Sequence, residues 1–395
     1  MLKGKNIVLA VTGSIAAYKM ANVASALVKQ HANVTVMMTQ NATNFINPIT
    51  FETLTGNKCL VDTFDRNFQY SVEHVSLANS ADVCLIAPAT ANVIAKMAYG
   101  LADDMLTTTV LACRCKKIVS PAMNTNMFEN QITQDNINKL AEYGFEIIEP
   151  DSGRLACGDV GAGKLPSEEV LLSYIYKEVM YEKDLAGKNV LITAGPTRES
   201  IDPVRFISNH STGKMGYAFA KVCSYRGANV TLITGPTSIP KPDFVNIIEV
   251  ESADEMFEAV DKVYKSNDII VMSAAVADYT PVTTADEKIK KSSEDFNLSL
   301  RKTRDILDYV GHNRTANQKV IGFAMETQNL IENASKKLEK KNADMIVANS
   351  LKTKGAGFGT DTNIVTLISK DKTEELSIMS KEETANTVID RILEM

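Results

Sequence analysis

Residues 208–216 read "SNHSTGKMG", a Gly-Lys pair in a glycine-bearing turn just ahead of an apolar stretch. A turn of this kind leaves several backbone N–H groups unpaired at a helix start, which makes it a site for an anion. It is not the strict triphosphate loop, which needs a Gly five places before the Gly-Lys pair and a Ser or Thr after it. Those places hold Ser208 and Met215. A second chemical signal is Cys157 in "GRLACGDVGAGKLP" (153–166), a glycine-rich polar loop where buried structural thiols seldom sit. A thiol on such a loop can cover a substrate and exchange a proton near neutral pH. His74 opens the amphipathic stretch "EHVSLAN", where a histidine is a cap or surface group unless other reactive residues keep it company. Three turns supply that company. "TGSIAAYK" puts Gly13 and Ser14 at a helix start, a cradle better matched to a mononucleotide such as FMN than to a dinucleotide. "APATAN" (87–92) and "PAMNTNMF" (121–128) each follow an apolar run and carry small or amide residues after a proline.

The elements that must position these residues occur twice. "GKNIVLAVTGS" (4–14) and "GKNVLITAGPT" (187–197) are both short β-branched runs ending in Gly. The first leads into "IAAYKMANVASALVKQH", whose Ala16, Met20, Val23, Ala24, Leu27 and Val28 share a helical face, and then into the strand "NVTVMMT". The second half repeats this βαβ plan, with "RESIDPVRFISNH" inserted between strand and helix. "DVCLIAP", "KIVSP", "DIIVMSAAV", "VIGFAM" and "DMIVAN" are continuous apolar runs, as strands covered on both faces should be. The fold class predicted is α/β, with two doubly wound parallel-sheet domains of Rossmann or flavodoxin type, 1–184 and 185–395. Near the end, "NIVTLIS", a turn at "KDKTE" and "ELSIM" predict an antiparallel hairpin. Ser380 and Glu383 then predict a capping box at the head of a final helix. "KGAGFGTDTN" reads as a connector.

A chain of 395 residues suits two such domains. With 42 Lys+Arg against 48 Asp+Glu the formal net charge is -6, leaving no basic surplus for a nucleic-acid backbone or an anionic membrane. No apolar run approaches the ~18–20 residues that a membrane span requires. Small-molecule substrates, no nucleic acid, no membrane and a cytoplasmic location are the expectations. The six cysteines form no CxxC pair, so neither a zinc knuckle nor a disulfide framework is indicated, and most should be buried thiols.

"GSIAAYK", "EHVSLAN", "PATAN", "PAMNTNM" and "GRLACGDVGAGKLP" together resemble the homo-oligomeric flavin-containing cysteine decarboxylases. Over its whole length the chain resembles the bacterial bifunctional phosphopantothenoylcysteine decarboxylase/phosphopantothenate-cysteine ligases of coenzyme A biosynthesis. For the first half the resemblance implies an FMN-dependent decarboxylation without net redox change. A hydride passes from the cysteine moiety to the flavin, the resulting thioaldehyde loses CO₂, and the hydride returns to the enethiol. His74 would assist the oxidative decarboxylation, Asn124 would hold the substrate carboxylate with Met123 beside it, and Cys157 would donate the final proton. Gly13, Ser14, Thr39, Ala89, Thr90 and Asn92 are the implied FMN contacts. The same resemblance implies homo-oligomers with FMN at a subunit boundary, decarboxylase trimers building a dodecamer with ligase dimers.

"TAGPTRESIDPVRFISNHSTGKMG" resembles the ligase half, which implies that this loop binds CTP and an acyl-cytidylate. The carboxylate of phosphopantothenate would attack the α-phosphate of CTP, releasing pyrophosphate, and the amine of cysteine would then displace CMP. Asn209 would engage the acyl-cytidylate, Arg205 would meet phosphate charge, and Lys288 of "EKIKK" would serve the conversion of the intermediate. In "SAAVADY", Ala274 and Ala275 would let the pyrimidine approach the backbone, and Asp278 would contact the ribose or a Mg²⁺ accompanying CTP. Phe323 would pack on the nucleotide, Asp305 of "TRDIL" would contact substrate, and Lys337 and Lys341, four apart on one helical face, would meet phosphates together. His210 acquires no role. One rival is a single-activity flavoprotein decarboxylase or flavin prenyltransferase with an unrelated second domain. Another is a non-catalytic FMN-binding regulatory protein, which the presence of both His74 and Cys157 disfavours.

Overall fold

Alternation along the first strand already divides the interior of the amino-terminal half in two. Ile7, Leu9 and Val11 point into one apolar layer, and Val8 and Ala10 into another. The computed structural model describes residues 2–63, 73–154, 158, 160–291, 296–326, 328–350 and 360–395. The chain divides into two units, Met1–Glu182 and Lys183–Met395.

In the first unit β1 (Asn6–Val11), β2 (Asn33–Met38), β3 (Val83–Ala89), β4 (Lys116–Pro121) and β5 (Glu146–Ile147) form a parallel sheet in the order β2-β1-β3-β4-β5. Helices Lys19–Lys29 and Glu168–Val179 cover one face, and helices Ala91–Tyr99, Met105–Ala112 and Gln131–Glu142 the other. This is the flavodoxin-like strand order, in which the chain changes direction between β1 and β3 and leaves a crevice at their carboxyl ends. The helix expected from residue 15 begins as a 3-10 turn, Ile15–Tyr18, and becomes α-helical at Lys19–Lys29. The glycine-rich stretch is an antiparallel hairpin, β6 (Asp151–Arg154) with β7 (Val160–Lys164). Cys157 lies outside the described residues.

The second unit begins with β8 (Asn189–Ala194). The inserted "RESIDPVRFISNH" is a hairpin rather than a plain loop, β9 (Arg198–Ser200) against β10 (Phe206–Ser208). There follow β11 (Asn229–Thr234), β12 (Asn246–Glu249), β13 (Ile269–Met272), the antiparallel pair β14 (Tyr279–Pro281) and β15 (Leu300–Lys302), then β16 (Lys319–Glu326), β17 (Met345–Ser350), β18 (Thr362–Asn363), β19 (Val365–Ser369) and β20 (Thr373–Glu375). The main sheet is eight-stranded, β12-β11-β8-β13-β16-β17-β19-β20, parallel as far as β17 and antiparallel beyond it. The C-terminal hairpin is present, with its second strand at Thr373–Glu375 and so earlier than "ELSIM". Ser380 and Glu383 make both halves of a capping box on helix Lys381–Leu393. Residues 354–359 of the glycine-rich connector lie outside the described residues.

Cys59, Cys84, Cys113 and Cys223 are buried. Burial pushes the Cys59 and Cys223 thiols up to about 12, so neither is a thiolate near neutral pH. Among the described residues no helix is long and apolar enough to cross a membrane.

Candidate functional site

Parallel strands deliver their following turns to one edge, and in the first unit four capped turns gather there. Ser14 Oγ accepts from Ala16 N–H, Thr39 Oγ1 from Ala42 N–H, Thr90 Oγ1 from Val93 N–H and Asn124 Oδ1 from Asn126 N–H. Each side chain is therefore the N-cap of the helical turn that follows β1, β2, β3 or β4. The donor-rich starts of those turns face the edge where an anion is held. Thr12, which sequence reading passed over, locks the crevice. Its buried Oγ1 donates to Pro88 O (2.6 Å) and accepts from Thr90 N–H (3.1 Å), tying the ends of β1 and β3 together. Gly13 is obligatory for a packing reason: a Cβ there would stand 2.8 Å from Asn41 Cβ.

Met123 and Asn124 are half-buried beside this edge, and Asn92 is exposed on the first turn of helix Ala91–Tyr99. Ala89 ends β3. Its methyl is packed in the core and its carbonyl accepts from Ala122 N–H at 3.0 Å. His74 is half-buried at the head of helix Glu73–Ser80, which precedes β3. A helix that descends to the amino end of its strand starts at the carboxyl edge, so His74 belongs to the same rim. The hairpin β6–β7 lies on the "PAMNTN" turn, with Met123 N–H donating to Gly163 O at 3.0 Å. Glycine is required at that contact, since a Cβ on Gly163 would lie 2.4 Å from Met123 O and one on Gly161 2.7 Å from Thr125 Cγ2. Lys19 Nζ donates to Leu165 O and Pro166 O, anchoring the stretch that leaves the hairpin. Two buried hydroxyls near this edge, Ser120 Oγ and Thr125 Oγ1, have no partner among the described residues. Capped helix starts, close-approach glycines and two unpartnered hydroxyls are a set that fits a phosphorylated, planar group.

In the second unit two cavities, of about 550 and about 200 Å³, meet at Ala274, Ala275 and Phe323. The larger is also lined by Asp278, Asp305 and Lys337, and the smaller by residues Ser211–Gly216 with Asn349, Asn363 and Lys381. The turn after β8 is zipped to the turn after β13. Ala275 N–H donates to Gly195 O at 2.9 Å and Ala277 N–H to Thr197 Oγ1 at 3.0 Å. Asn209 joins this zip, its Nδ2 donating to Ala275 O (3.0 Å) and Val276 O (3.3 Å). The opening "SNHSTGKMG" motif thus closes on "SAAVADY", with Gly213 as the left-handed start of helix Lys214–Tyr225.

Two of the expected phosphate ligands are paired with carboxylates of the chain. Arg205 donates through Nε to Asp202 Oδ2 (2.9 Å) and through Nη2 to Ile289 O (2.8 Å), so its guanidinium already has a carboxylate. Lys341 falls past the end of helix Leu330–Lys340 and donates to Asp305 Oδ2 (2.8 Å) and Asp308 Oδ1 (3.2 Å), so its ammonium meets carboxylates at the edge of the cavity that Lys337 and Asp305 line. Lys337 lines the cavity and donates to Phe323 O at 2.8 Å. Asp305 does border the cavity, as the N-cap of helix Ile306–Asn313. Lys288 and Asp278 are exposed, and no cluster of three or more His, Cys, Asp or Glu suited to a metal exists among the described residues.

Sequence reading missed Asn349, Asn363 and Lys381. Asn349 Nδ2 donates to Asn363 Oδ1 (2.7 Å), while its buried Oδ1 finds no donor among the described residues. Lys381 is 8% exposed, and burial, reinforced by the charge of Lys214, pushes its ammonium below the ordinary lysine value. No sequence signal marked these three. They come from the far end of the chain and meet the motif only through the sheet.

Family models match both units. The family described as "Flavoprotein" covers residues 1–180, and the "DNA/pantothenate metabolism flavoprotein C-terminal domain" covers residues 185–395. The chain is 46% identical over 396 residues to the "Coenzyme A biosynthesis bifunctional protein CoaBC" of Bacillus subtilis (strain 168), spanning 99% of this chain and 97% of that one. It is 43% identical over 393 residues to the protein of the same name from Haemophilus influenzae (strain ATCC 51907 / DSM 11121 / KW20 / Rd), spanning 100% and 98%. Among solved structures, the C-terminal domain of a coenzyme A biosynthesis bifunctional protein CoaBC is 44% identical. It covers 53% of this chain and 95% of that one, with a TM-score of 0.45.

Proposed function

The chain belongs to the coenzyme A biosynthesis bifunctional proteins, which join a flavoprotein domain to a DNA/pantothenate metabolism flavoprotein C-terminal domain, and on that premise we propose how its two units work. Its activities are phosphopantothenoylcysteine decarboxylase and phosphopantothenate-cysteine ligase. In our reading the first is carried by residues 1–184 and the second by residues 185–395.

The crevice between β1 and β3 would hold FMN, with Gly13, Ser14, Thr39, Thr90 and Asn92 as the residues that would contact it. FMN supplies a reversible hydride acceptor, which lets the substrate reach an oxidation level from which CO₂ departs readily. Asn124 orients the substrate carboxylate through an amide, which does not hold the leaving carboxylate back with a full charge. His74 handles the proton of the oxidative half-reaction, and Cys157 returns a proton to the product carbon. Ile15 and Tyr18, 59% and 58% exposed beside Ser14, suit a site completed by another subunit of a homo-oligomer.

In the second unit the carboxylate oxygen of 4′-phosphopantothenate attacks the α-phosphorus of CTP and pyrophosphate leaves. The amine nitrogen of cysteine then attacks the acyl carbon and CMP leaves. Ala274 and Ala275 floor the pocket, Phe323 packs on the nucleotide, Asn209 holds the acyl-cytidylate and Lys288 assists its conversion. Asn349 Oδ1 is an acceptor that the exocyclic amino group of a base would satisfy. Mg²⁺ enters with CTP, since attack at a triphosphate needs its charge neutralised. The observation that carries this reading is Asn209 bridging the glycine-bearing loop to the carbonyls of Ala275, which lines both cavities, and Val276, which lines the larger. Incubation with phosphopantothenate, cysteine, CTP and Mg²⁺, followed by mass spectrometry, should yield phosphopantetheine and CO₂. Absence of both would overturn the reading.

Two further results are expected. A fragment of residues 1–184 purifies yellow with FMN and one of residues 185–395 colourless, and flavin absorbance in the latter would reverse the assignment. Gly163→Ala must relieve a Cβ only 2.4 Å from Met123 O at a left-handed φ of 121°, so it lifts β6–β7 from the Asn124 turn. Decarboxylation of supplied phosphopantothenoylcysteine should fall about a hundredfold, as a displacement near 1 Å can produce, with FMN retained.

A further inference from the structure

Lys288 stands on a stretch with no regular secondary structure, yet that stretch is fastened at four points to the hairpin that carries Asn209. Thr284 Oγ1 donates to Ser200 O (3.1 Å) and Ala285 N–H to Ile201 O (3.0 Å). The peptide groups after Lys288 are then gripped at both poles. Ile289 N–H donates to Asp202 Oδ2 (3.1 Å), and Ile289 O accepts from Arg205 Nη2 (2.8 Å).

Asp202 is the hub of this fastening. Its side chain is wholly inaccessible to solvent, and it also accepts from Val204 N–H (2.8 Å), Arg205 N–H (2.9 Å) and the Arg205 guanidinium. The guanidinium holds the carboxyl well below the usual carboxylate range against the opposing effect of burial. A buried carboxylate that meets five donors is fixed in both position and charge. It sits at the turn between β9 and β10, and β10 leads directly into Asn209.

We propose that Asp202, through Arg205 and the Ile289 peptide groups, is the positioning residue that sets Lys288 at a fixed distance from Asn209 for the second ligase step. The proposal rests on the ligase reading above. Asp202 touches no substrate in it. Arg205 completes the grip, which is why its guanidinium faces a carboxylate. Neither Lys288 nor Asn209 is held by an element of its own long enough to be rigid, so the hairpin supplies the frame for both.

Full-length Asp202→Asn tests this, since the amide keeps the shape but replaces a charged acceptor of several donors by a neutral one. With CTP, Mg²⁺, phosphopantothenate and cysteine, the rate of amide formation should drop about ten- to a hundredfold. The acyl-cytidylate should accumulate in quenched samples while KM for CTP holds. Trypsin should cleave the Lys288–Ile289 bond several times faster, read by mass spectrometry. Thr284→Val removes one exposed tie without touching the buried hub, so it should shift both readouts in the same direction by less, and it serves if Asp202→Asn does not fold. A soluble Asp202→Asn with unchanged turnover and cleavage, or a loss expressed only in KM, overturns the proposal. A wild-type chain that makes no acyl-cytidylate overturns the ligase reading instead.

Discussion

His74→Asn is expected to lower CO₂ release from supplied phosphopantothenoylcysteine by about 10²- to 10⁴-fold, the usual contribution of a positioned acid or base. Amide formation from phosphopantothenate, cysteine and CTP should be untouched. The separation follows from the chain dividing at Glu182/Lys183, with His74 in the first unit and the cavities around Ala275 in the second. His31, the other histidine of the first unit, follows helix Lys19–Lys29 and precedes β2, which places it at the opposite edge of the sheet. Asn keeps a hydrogen-bonding group of similar reach but cannot carry a proton, so flavin absorbance should be retained while the oxidative half-reaction stalls. Cys157→Ser should differ in kind, releasing CO₂ while the reduced product fails to accumulate. Undiminished CO₂ release by His74→Asn, or joint loss of ligation, would remove His74 from the role.

Gly216→Ala should abolish most ligase activity although alanine is the better helix former. Gly216 is the third residue of helix Lys214–Tyr225, where alanine would gain about 1 kcal/mol in propensity. Against that, its Cβ would stand 2.5 Å from Ala194 Cβ, 2.7 Å from Ser273 Oγ and 3.0 Å from Thr193 O. Overpacking of this kind costs about 1–3 kcal/mol, so the steric effect outweighs the propensity. Thr193 and Ala194 belong to β8, and Ser273 is fixed by its bond to Thr193 O (2.6 Å), so the helix start must move rather than the sheet. That start lines the smaller cavity. A shift near 1 Å should cost about a hundredfold in kcat/KM for the ligase, with the ligase unit's Tm lowered by a few degrees and decarboxylation preserved. Full ligase activity in this variant would show that the glycine is not needed for close approach.

The sequence was sufficient for the parts of this protein that depend on neighbours along the chain. Alternating and continuous apolar runs marked β1 to β4 and β8, β11, β13, β16 and β17, because a strand's faces repeat every second residue wherever it lies in the sheet. Turn chemistry was legible too. Ser14, Thr39, Thr90 and Asn124, which the family resemblance marks as ligand contacts, are all N-caps of the turns that follow β1 to β4. Tertiary structure alone decided which charges were already spent. Lys337 and Lys341 are four apart in sequence, but Asp305 and Asp308, more than thirty residues away along the chain, already pair with the Lys341 ammonium. Arg205 meets Asp202 close by, yet only the return of the chain at Ile289 turns that pair into a clamp. Asn349 and Lys381 reach the Gly213 loop because β16, β17 and helix Lys381–Leu393 bring them there. Backbone hydrogen bonding is local and repeats along the chain. Pairing of charges and orphan carbonyls is settled by whichever partners the fold brings within about 3 Å, and no spacing in the sequence encodes that distance.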